Sequence, residues 1–332
     1  MPTPTLVTLV TGAAGFAGSH LLDLLSTERR GESIEPSQKE SVEPIQIIAW
    51  HRPGKVPPPM TGVRWEAIDL LDRSAVAAAI QRHRPATVYH CAGAAHVGRA
   101  WDSTTATLAV NVRGTHHLLE ALRTAALAPV VPVVFVPSSA MIYRPSNEPI
   151  AEDHALVPPN PYGLTKLAQE QLARRAIGDG IDIRIGRAFN HVGPRQDPEF
   201  AASGFARQIA EIEAGRREPR IVVGNLEAQR ELTDVRDTVR AYRAIVERGA
   251  SGRPYNVSSG RAYAVGEVVA RLVKKARVPV QVRVDPARYR PNDILLLVGN
   301  PARIRDEIGW TPAIPLERTL DDMLEYWRSH IS

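Results

Sequence analysis

The stretch Thr11-Gly12-Ala13-Ala14-Gly15-Phe16-Ala17-Gly18 narrows most what this chain can become. It follows an apolar run, Leu6–Val10, that predicts a strand, and it opens a segment that predicts a helix through Leu25. Glycines at 12, 15 and 18 let the backbone turn sharply and approach a pyrophosphate, whose charge a helix N-terminus favours. The spacing is G-x-x-G-x-x-G rather than the more familiar G-x-G-x-x-G. Glycines alone say little, but a strand before them and a helix after is the context of a dinucleotide site. Gly12, Gly15, Phe16 and Gly18 are therefore candidate cofactor contacts.

The chain beyond the turn repeats this alternation. Strands are predicted at Ile45–Trp50, Val63–Glu66, Thr87–Cys91, Val133–Val136 and Ile181–Ile185, with helices at Ser74–Arg82, Thr107–Ala126 and from Pro161 to about Ile177. That order predicts an α/β fold: a Rossmann-type, doubly wound parallel sheet that binds ligands at the carboxyl ends of its strands. Residues 1–186 form the expected dinucleotide-binding domain. Glu28–Pro44, polar and proline-bearing, is expected to be an exposed insertion without chemistry of its own. The second strand ends in His51-Arg52, and no acid lies between Trp50 and Gly62. An acid there would bind the ribose hydroxyl of NAD, whereas Arg52 suits a 2′-phosphate, so NADP(H) is favoured and NAD stays open. Ala92-Gly93-Ala94-Ala95 either lets a cofactor lie close or serves tight packing.

A second constellation follows the strand at Val133–Val136. Ser138 and Ser139 stand at its end, and Asn160-Pro161 starts a helix that carries Tyr162 and Lys166 on one face, four residues apart. Reducing a ketone requires hydride on carbon and a proton on oxygen. Tyr162 is the candidate acid, Ser139 the candidate donor to the ketone oxygen, and Lys166 the cation expected to lower the phenol pKa and to hold a cofactor ribose. A Tyr-x-x-x-Lys pair alone usually decorates a helix; the glycine turn upstream makes this one a candidate catalytic set.

After Gly186 the pattern changes, and residues 187–332 are expected to form mainly a smaller substrate-binding lobe, some segments returning to the sheet. Helices are predicted at Phe200–Ala214, Val235–Glu247, Val265–Ala276 and Leu316–Arg328, and strands at Ile221–Val223, Tyr255–Val257 and Val280–Val284. Composition restricts the partners. No run approaches the roughly 20 apolar residues that span a membrane, and no basic leader precedes the first strand. With Cys91 the only cysteine among 332 residues, an intrachain disulfide and a multi-cysteine metal site are excluded, and a cytoplasmic protein without metal is expected. The net charge of +5 is spread among nearly as many acids, with no basic tail, which suits an anionic small substrate better than nucleic acid.

With these motifs in hand, the chain resembles the extended short-chain dehydrogenase/reductases that act on nucleotide sugars, from about Thr5 to Ile331. Phe189–Gln196 (FNHVGPRQ), Val222–Asp237 (VVGNLEAQRELTDVRD) and Tyr289–Asp293 (YRPND) look most like the reductases that form GDP-rhamnose. The resemblance implies that Asp69, with Leu70 beside it, meets the adenine, that Ala92 lines the cofactor, and that Ser139, Tyr162 and Lys166 are catalytic. It also implies that Asn190 lies near the sugar or diphosphate, that Arg230 and Arg290 hold the diphosphate, with Arg195 a further candidate, and that Asp293 contacts guanine or orients Arg290. His191 reads as packing or ligand contact. A homodimer through the helices at Thr107–Ala126 and Tyr162–Ile177 is likewise implied. Two positions depart from the wider group. Ala140 and Met141 stand where dehydratases carry an acid, and Arg144 stands where many relatives have glycine. Three functions follow: an NADP(H)-dependent reductase of a nucleotide-linked keto sugar, a 4-epimerase with tightly held NAD, and a dinucleotide-sensing binding protein.

Overall fold

A computed structural model of the chain describes residues 6–29, 45–54, 57, 59–125, 131–289 and 296–331. The chain divides into two compact units. The first comprises the chain up to Arg144, Ala155–Arg187 and Val239–Tyr255; the second comprises Pro145–His154, Ala188–Thr238 and the chain from Asn256 on.

In the first unit the elements run β1 (Val7–Thr11), α1 (Phe16–Arg29), β2 (Gln46–His51), β3 (Val63–Ala67), α2 (Arg73–His83), β4 (Thr87–His90), α3 (Val97–Asp102), α4 (Thr104–Leu108), α5 (Gly114–Thr124), β5 (Val133–Ser139), α6 (Pro161–Ala176) and β6 (Asp182–Ala188). The later elements are β7 (His191–Val192), α7 (Ala201–Glu213), β8 (Arg220–Val223), β9 (Gln229–Glu231), β10 (Thr233–Asp234), α8 (Val235–Arg248), β11 (Pro254–Val257), β12 (Ala262–Ala264), α9 (Val265–Lys274), β13 (Gln281–Val284), β14 (Leu296–Leu297) and α10 (Leu316–His330).

Seven strands form one sheet in the order β11-β6-β5-β4-β1-β2-β3. The β1–β2, β1–β4, β2–β3 and β4–β5 ladders are parallel. The order reverses between β1 and β4, and in an open parallel sheet that reversal leaves a crevice at the carboxyl ends of the two strands. The β-branched, apolar inner strands β1, β4 and β5 are largely buried on both faces, as crossover connections require, while the edge strand β3 is partly exposed. Leu9, Val88, Val134 and Ile183 of the sheet pack with Ile80, Leu118 and Ala173 of the helices in one core, and on β5 Phe135 meets Tyr242 with ring centroids 4.5 Å apart.

Local chemistry explains the helix ends. Asp72 caps α2 by accepting from the Ala75 amide at 3.0 Å, and α2 ends on Arg84 in the left-handed region. Asn160 caps α6 through the Gly163 amide at 2.8 Å, with Pro161 in the first turn. The single helix expected over Thr107–Ala126 is interrupted within the described residues by a π-helical turn at Ala109–Arg113. Such a turn inserts an extra residue and re-aims its side chains. Here it delivers Asn111 to the Ala94 amide (2.7 Å), the Ala94 carbonyl (3.2 Å) and Thr165 Oγ1 (2.9 Å). β5 continues through Pro137, which lies past the positions paired with β4. α1 runs four residues beyond Leu25 to Arg29; the rest of the expected insertion, residues 30–44, lies outside the described residues.

In the second unit, α7, α9 and α10 enclose a core of Phe205, Ile209, Ile221, Val269, Leu272, Leu320 and Met323. Three small sheets accompany it: β10–β7, β12–β9–β14 and β13–β8. Buried Glu231 ties several of these segments. It accepts from Ser258 Oγ (2.7 Å), the Gly299 amide (2.9 Å), Thr233 Oγ1 (3.2 Å) and the Ser259 amide, and burial raises its carboxyl pKa.

Candidate active site

The glycine turn leaves β1 on one side of the strand reversal. Gly12 has φ of 64°, and a Cβ there would lie 2.5 Å from the Ala92 backbone, so only glycine permits β1 and β4 to end this close together. A Cβ on Gly18 would overlap the Gly12 carbonyl. Gly15 differs: its added Cβ would meet only the Gly12 carbonyl oxygen, at 3.0 Å, and the residue is exposed at the start of α1. Gly12 and Gly18 thus serve packing, while Gly15 leaves an open approach to the helix N-terminus. That division fits a bound pyrophosphate.

The other expected cofactor residues are placed as follows. Phe16 opens α1 and meets His20 edge to face at 5.7 Å. Arg52 is exposed just past β2. Asp69 follows β3, its Oδ1 accepting from the Leu71 amide at 2.9 Å. Leu70 is a core residue, 8 % exposed, whose carbonyl accepts from His117 at 2.9 Å. The Ala92 amide donates to Thr11 Oγ1 at 3.2 Å.

Ser139 ends β5 and caps the 3-10 turn Ala140–Ile142, its hydroxyl accepting from the Met141 amide at 3.1 Å. The same hydroxyl lies close enough to the Tyr162 phenol to pull its pKa down, so the structure brings these two together. Tyr162 keeps some surface accessible, yet the protein packed about its phenol raises the pKa above the ordinary tyrosine value. The Ser139 hydroxyl pulls the other way and is the smaller effect. The expectation that Lys166 would lower the phenol pKa is corrected: desolvation, which penalises phenolate, dominates.

Lys166 is 7 % exposed, and burial pushes its ammonium down to about 8 against the opposing pull of Cys91 and Glu170. Its Nζ donates to Gln169 Oε1. One turn on, Glu170 is bound by Arg187 of β6, with Nη2 2.7 Å from Oε1, while Arg187 Nη1 donates to Tyr143 at 2.8 Å. Burial alone would raise the Glu170 carboxyl, but Arg187, together with Arg174 at 3.1 Å, outweighs it and holds it below the usual range. Arg187 therefore links the helix bearing Tyr162 and Lys166 to the segment that follows Ser139.

Gly163, absent from the sequence expectations, is also part of this geometry. A Cβ there would overlap the Met141 carbonyl oxygen and lie 2.9 Å from its carbonyl carbon. The helix can approach the Ser139 turn only because the residue after Tyr162 has no side chain. A glycine in the first turn of a helix was the available signal.

In the second unit, Asn190 precedes β7 and its carbonyl accepts from the Thr233 amide at 3.0 Å. Arg195 has φ of 71°, a left-handed conformation uncommon for a residue with a Cβ. Arg230 lies on β9, in register with Tyr263 and Leu297, three residues before the Thr233 that pairs with His191. Asn190 and Arg230 thus flank the β7–β10 pair. Burial depresses the His191 imidazole, whose Nδ1 is 3.1 Å from the Phe189 carbonyl. Arg290 and Asp293 lie outside the described residues.

A parallel sheet with this strand reversal, a glycine turn beside it and a Ser-Tyr-Lys set at the end of β5 defines a short-chain dehydrogenase/reductase of the extended kind. The chain matches the GDP-mannose 4,6 dehydratase family over residues 9–323 and belongs to that family of nucleotide-sugar enzymes. It is 31% identical over 326 residues to the GDP-6-deoxy-D-mannose reductase of Pseudomonas aeruginosa, covering 97% of each chain. It is 28% identical over 349 residues to the UDP-glucose 4-epimerase of Mus musculus, covering 96% of this chain and 95% of the other. Among solved structures, RMD from Pseudomonas aeruginosa complexed with NADPH superposes with a TM-score of 0.82 at 30% identity, over 98% of this chain and 100% of that one.

Proposed function

We propose that this chain uses NADPH to reduce the 4-keto group of a nucleotide-linked 6-deoxy sugar, converting GDP-4-dehydro-6-deoxy-D-mannose to GDP-D-rhamnose. The observation that carries this reading is the turn Ala140–Ile142 beside the neighbouring Ser139 and Tyr162. A dehydratase must remove a carbon-bound proton and help water leave, which requires a further acid–base group. Alanine and methionine side chains do not titrate. Reducing an existing ketone requires less: a proton donor and a donor that positions the oxygen. The likeness to a GDP-6-deoxy-D-mannose reductase supports the substrate, and the NADPH complex of a relative supports the cofactor.

NADPH, when bound, supplies hydride to the keto carbon. Gly12, Gly15, Phe16 and Gly18 are proposed to hold its pyrophosphate, Asp69 and Leu70 the adenine side, Arg52 the 2′-phosphate and Lys166 a ribose hydroxyl, with Ala92 alongside. Tyr162 gives its proton to the sugar oxygen, a role that its raised pKa suits because the phenol stays protonated at neutral pH. Ser139 holds that oxygen in line with the phenol. Asn190, Arg195, Arg230 and Arg290 are proposed for the sugar diphosphate, where guanidinium forks match phosphate oxygens, and Asp293 for the guanine side. A homodimer is proposed through the apolar groove lined by Leu108, Ala109, Val112 and Leu172.

Product analysis by NMR tests the reading. GDP-mannose alone should remain unchanged with any dinucleotide. The 4-keto-6-deoxy sugar made by a separate dehydratase should give GDP-rhamnose, with one NADPH oxidised per product and slower turnover with NADH. Dehydration of GDP-mannose by this protein, or interconversion of sugars without net NADPH use, would overturn it, the second outcome in favour of a 4-epimerase.

A further inference from the structure

A chain of buried polar side chains stands behind Lys166, and the reductase mechanism makes no use of it. From the glycine turn inward it runs through Thr11, His90, Thr115 and Gln169. Thr11 Oγ1 lies 2.9 Å from His90 Nδ1, and His90 Nε2 lies 2.9 Å from Thr115 Oγ1. Thr115 Oγ1 accepts from Gln169 Nε2 at 2.8 Å, and Gln169 Oε1 meets the Lys166 ammonium. None of Thr11, His90, Thr115 and Gln169 is more than 1% exposed.

Proton counting fixes the direction of every bond. Thr115 has one hydroxyl hydrogen and two lone pairs. Its oxygen is 2.7 Å from the Asn111 carbonyl, which can only accept, so the hydrogen goes there. Thr115 must then accept from its other two partners. Gln169 is obliged to present its NH2 to Thr115, which leaves the amide oxygen facing Lys166. His90 is obliged to carry its proton on Nε2, which leaves Nδ1 bare to accept from the Thr11 hydroxyl. Thr11 in turn accepts from the Ala92 amide at 3.2 Å. Each hydroxyl hydrogen and each imidazole nitrogen of the chain then has one partner, with a neutral imidazole. Burial, aided by the Lys166 charge, depresses His90 to about 3. A reversed Gln169 amide would set NH2 against the ammonium and face the single Thr115 hydrogen with two acceptors.

We propose that Gln169 is a positioning residue for Lys166, and that Thr115 and His90 are the groups that hold its amide oxygen toward the ammonium. One ammonium hydrogen is thereby fixed inward, and two remain for the ribose and the site. Through Thr11 and Ala92, the same chain joins the lysine to the backbone contact at Gly12, so both ends of the cofactor site share one buried scaffold. The inference rests on the proposed role of Lys166 in holding the cofactor.

Two measurements test it without turnover. In the first, the apoprotein is labelled with 15N-histidine, and His90 is identified by the signal lost in His90→Gln. Its resonances should show the Nε2–H tautomer and no titration between pH 5.5 and 8.5. An Nδ1–H tautomer, or titration near the ordinary histidine value, overturns the chain. In the second, NADPH affinity is read by fluorescence titration of folded variants. Gln169→Leu and Thr115→Val should each weaken binding roughly 10- to 100-fold, the scale of a hydrogen bond to a charged group. Thr115→Ser, which keeps the hydroxyl, should bind like wild type. Unchanged affinity in Gln169→Leu, or a serine variant as weak as the valine one, overturns the positioning role. If a variant fails to fold, the tautomer in the wild type decides. A wild type that binds no NADPH counts against the cofactor reading instead, and the His90 signal still decides the direction of the chain.

Discussion

Tyr162 and Lys166 divide between them what a ketone reductase asks of its ionisable groups. Burial raises the phenol, so it remains a proton donor through the neutral range, and lowers the ammonium to about 8. The alkaline limit of activity is therefore expected from the lysine. As pH rises through about 8, folded Lys166 loses its charge, while the unfolded chain keeps that proton to roughly 10.4. The unfolded state then binds more protons, so the contribution of this group to stability increases with pH even as activity falls. A kcat/KM profile should decline above about pH 8 in protein that circular dichroism shows to be folded. Tyr162→Phe should lose ~10²–10⁴-fold in kcat at the optimum while binding NADPH normally. A variant with full activity would remove the phenol from the mechanism. Gly163 gives a second test at this scale. Gly163→Ala forces the helix off the Met141 carbonyl and should cost about 1–3 kcal/mol of stability by overpacking. Because Tyr162 shifts relative to Ser139, kcat should fall by ~10²-fold, the penalty for about 1 Å of misplacement. Unchanged kcat would show that the contact does not set the catalytic geometry.

At the scale of the element, α6 is held by charge as well as by apolar packing. Glu170 is wholly buried, Arg187 is 2% exposed, and their bond joins α6 to β6 while the guanidinium also reaches Tyr143. A buried pair adds little net stability over apolar residues of the same shape, but losing Arg187 leaves the buried Glu170 carboxylate with only the partly exposed Arg174, 3.1 Å away, as its counter-ion. Arg187→Met should therefore lower the unfolding free energy, by less than the roughly 3–5 kcal/mol of a wholly uncompensated buried charge because Arg174 remains. Arg187→Met combined with Glu170→Leu should recover much of that loss. Urea denaturation measures both, and equal loss in the single and double variants would refute the account. The pair also explains why β6 outruns the strand expected over Ile181–Ile185: it continues through Arg187 to Ala188 because Glu170 satisfies the charge inside the core.

For the whole molecule, Leu108 on α4 and Leu164 on α6 of the first unit are among the exposed apolar residues. Leu108 is 38% and Leu164 55% exposed, and Leu108 lines a groove with Val112 and Leu172. A two-fold association would cover this surface with its own copy. Light scattering at micromolar concentration should give twice the 36.4 kDa chain mass, and the double substitution Leu108→Glu, Leu164→Glu should give the single mass. A monomeric wild type would remove the dimer. No described helix is long and apolar enough to cross a membrane, and no described cluster of His, Cys, Asp and Glu could hold a metal ion.

What the sequence determined by itself was whatever repeats at short range. Strand and helix periods, the glycines after β1, the Asn160-Pro161 helix start and the four-residue spacing of Tyr162 and Lys166 all depend on neighbours along the chain. The parallel sheet followed from them, because alternating strands and helices have few ways to bury both faces. Strands of two or three residues, such as β9, β12 and β14, left no period to read, and the π-helical turn at Asn111 looked like unbroken helix. Tertiary structure alone decided the rest. It put Thr115 and Gln169, 54 residues apart, within hydrogen-bond distance, brought Met141 against Gly163, and placed Tyr162 and Lys166 where desolvation rather than mutual attraction sets their pKa values. The physical reason is that burial and hydrogen-bond closure depend on segments distant in sequence, and no local pattern encodes which buried partner a side chain will find.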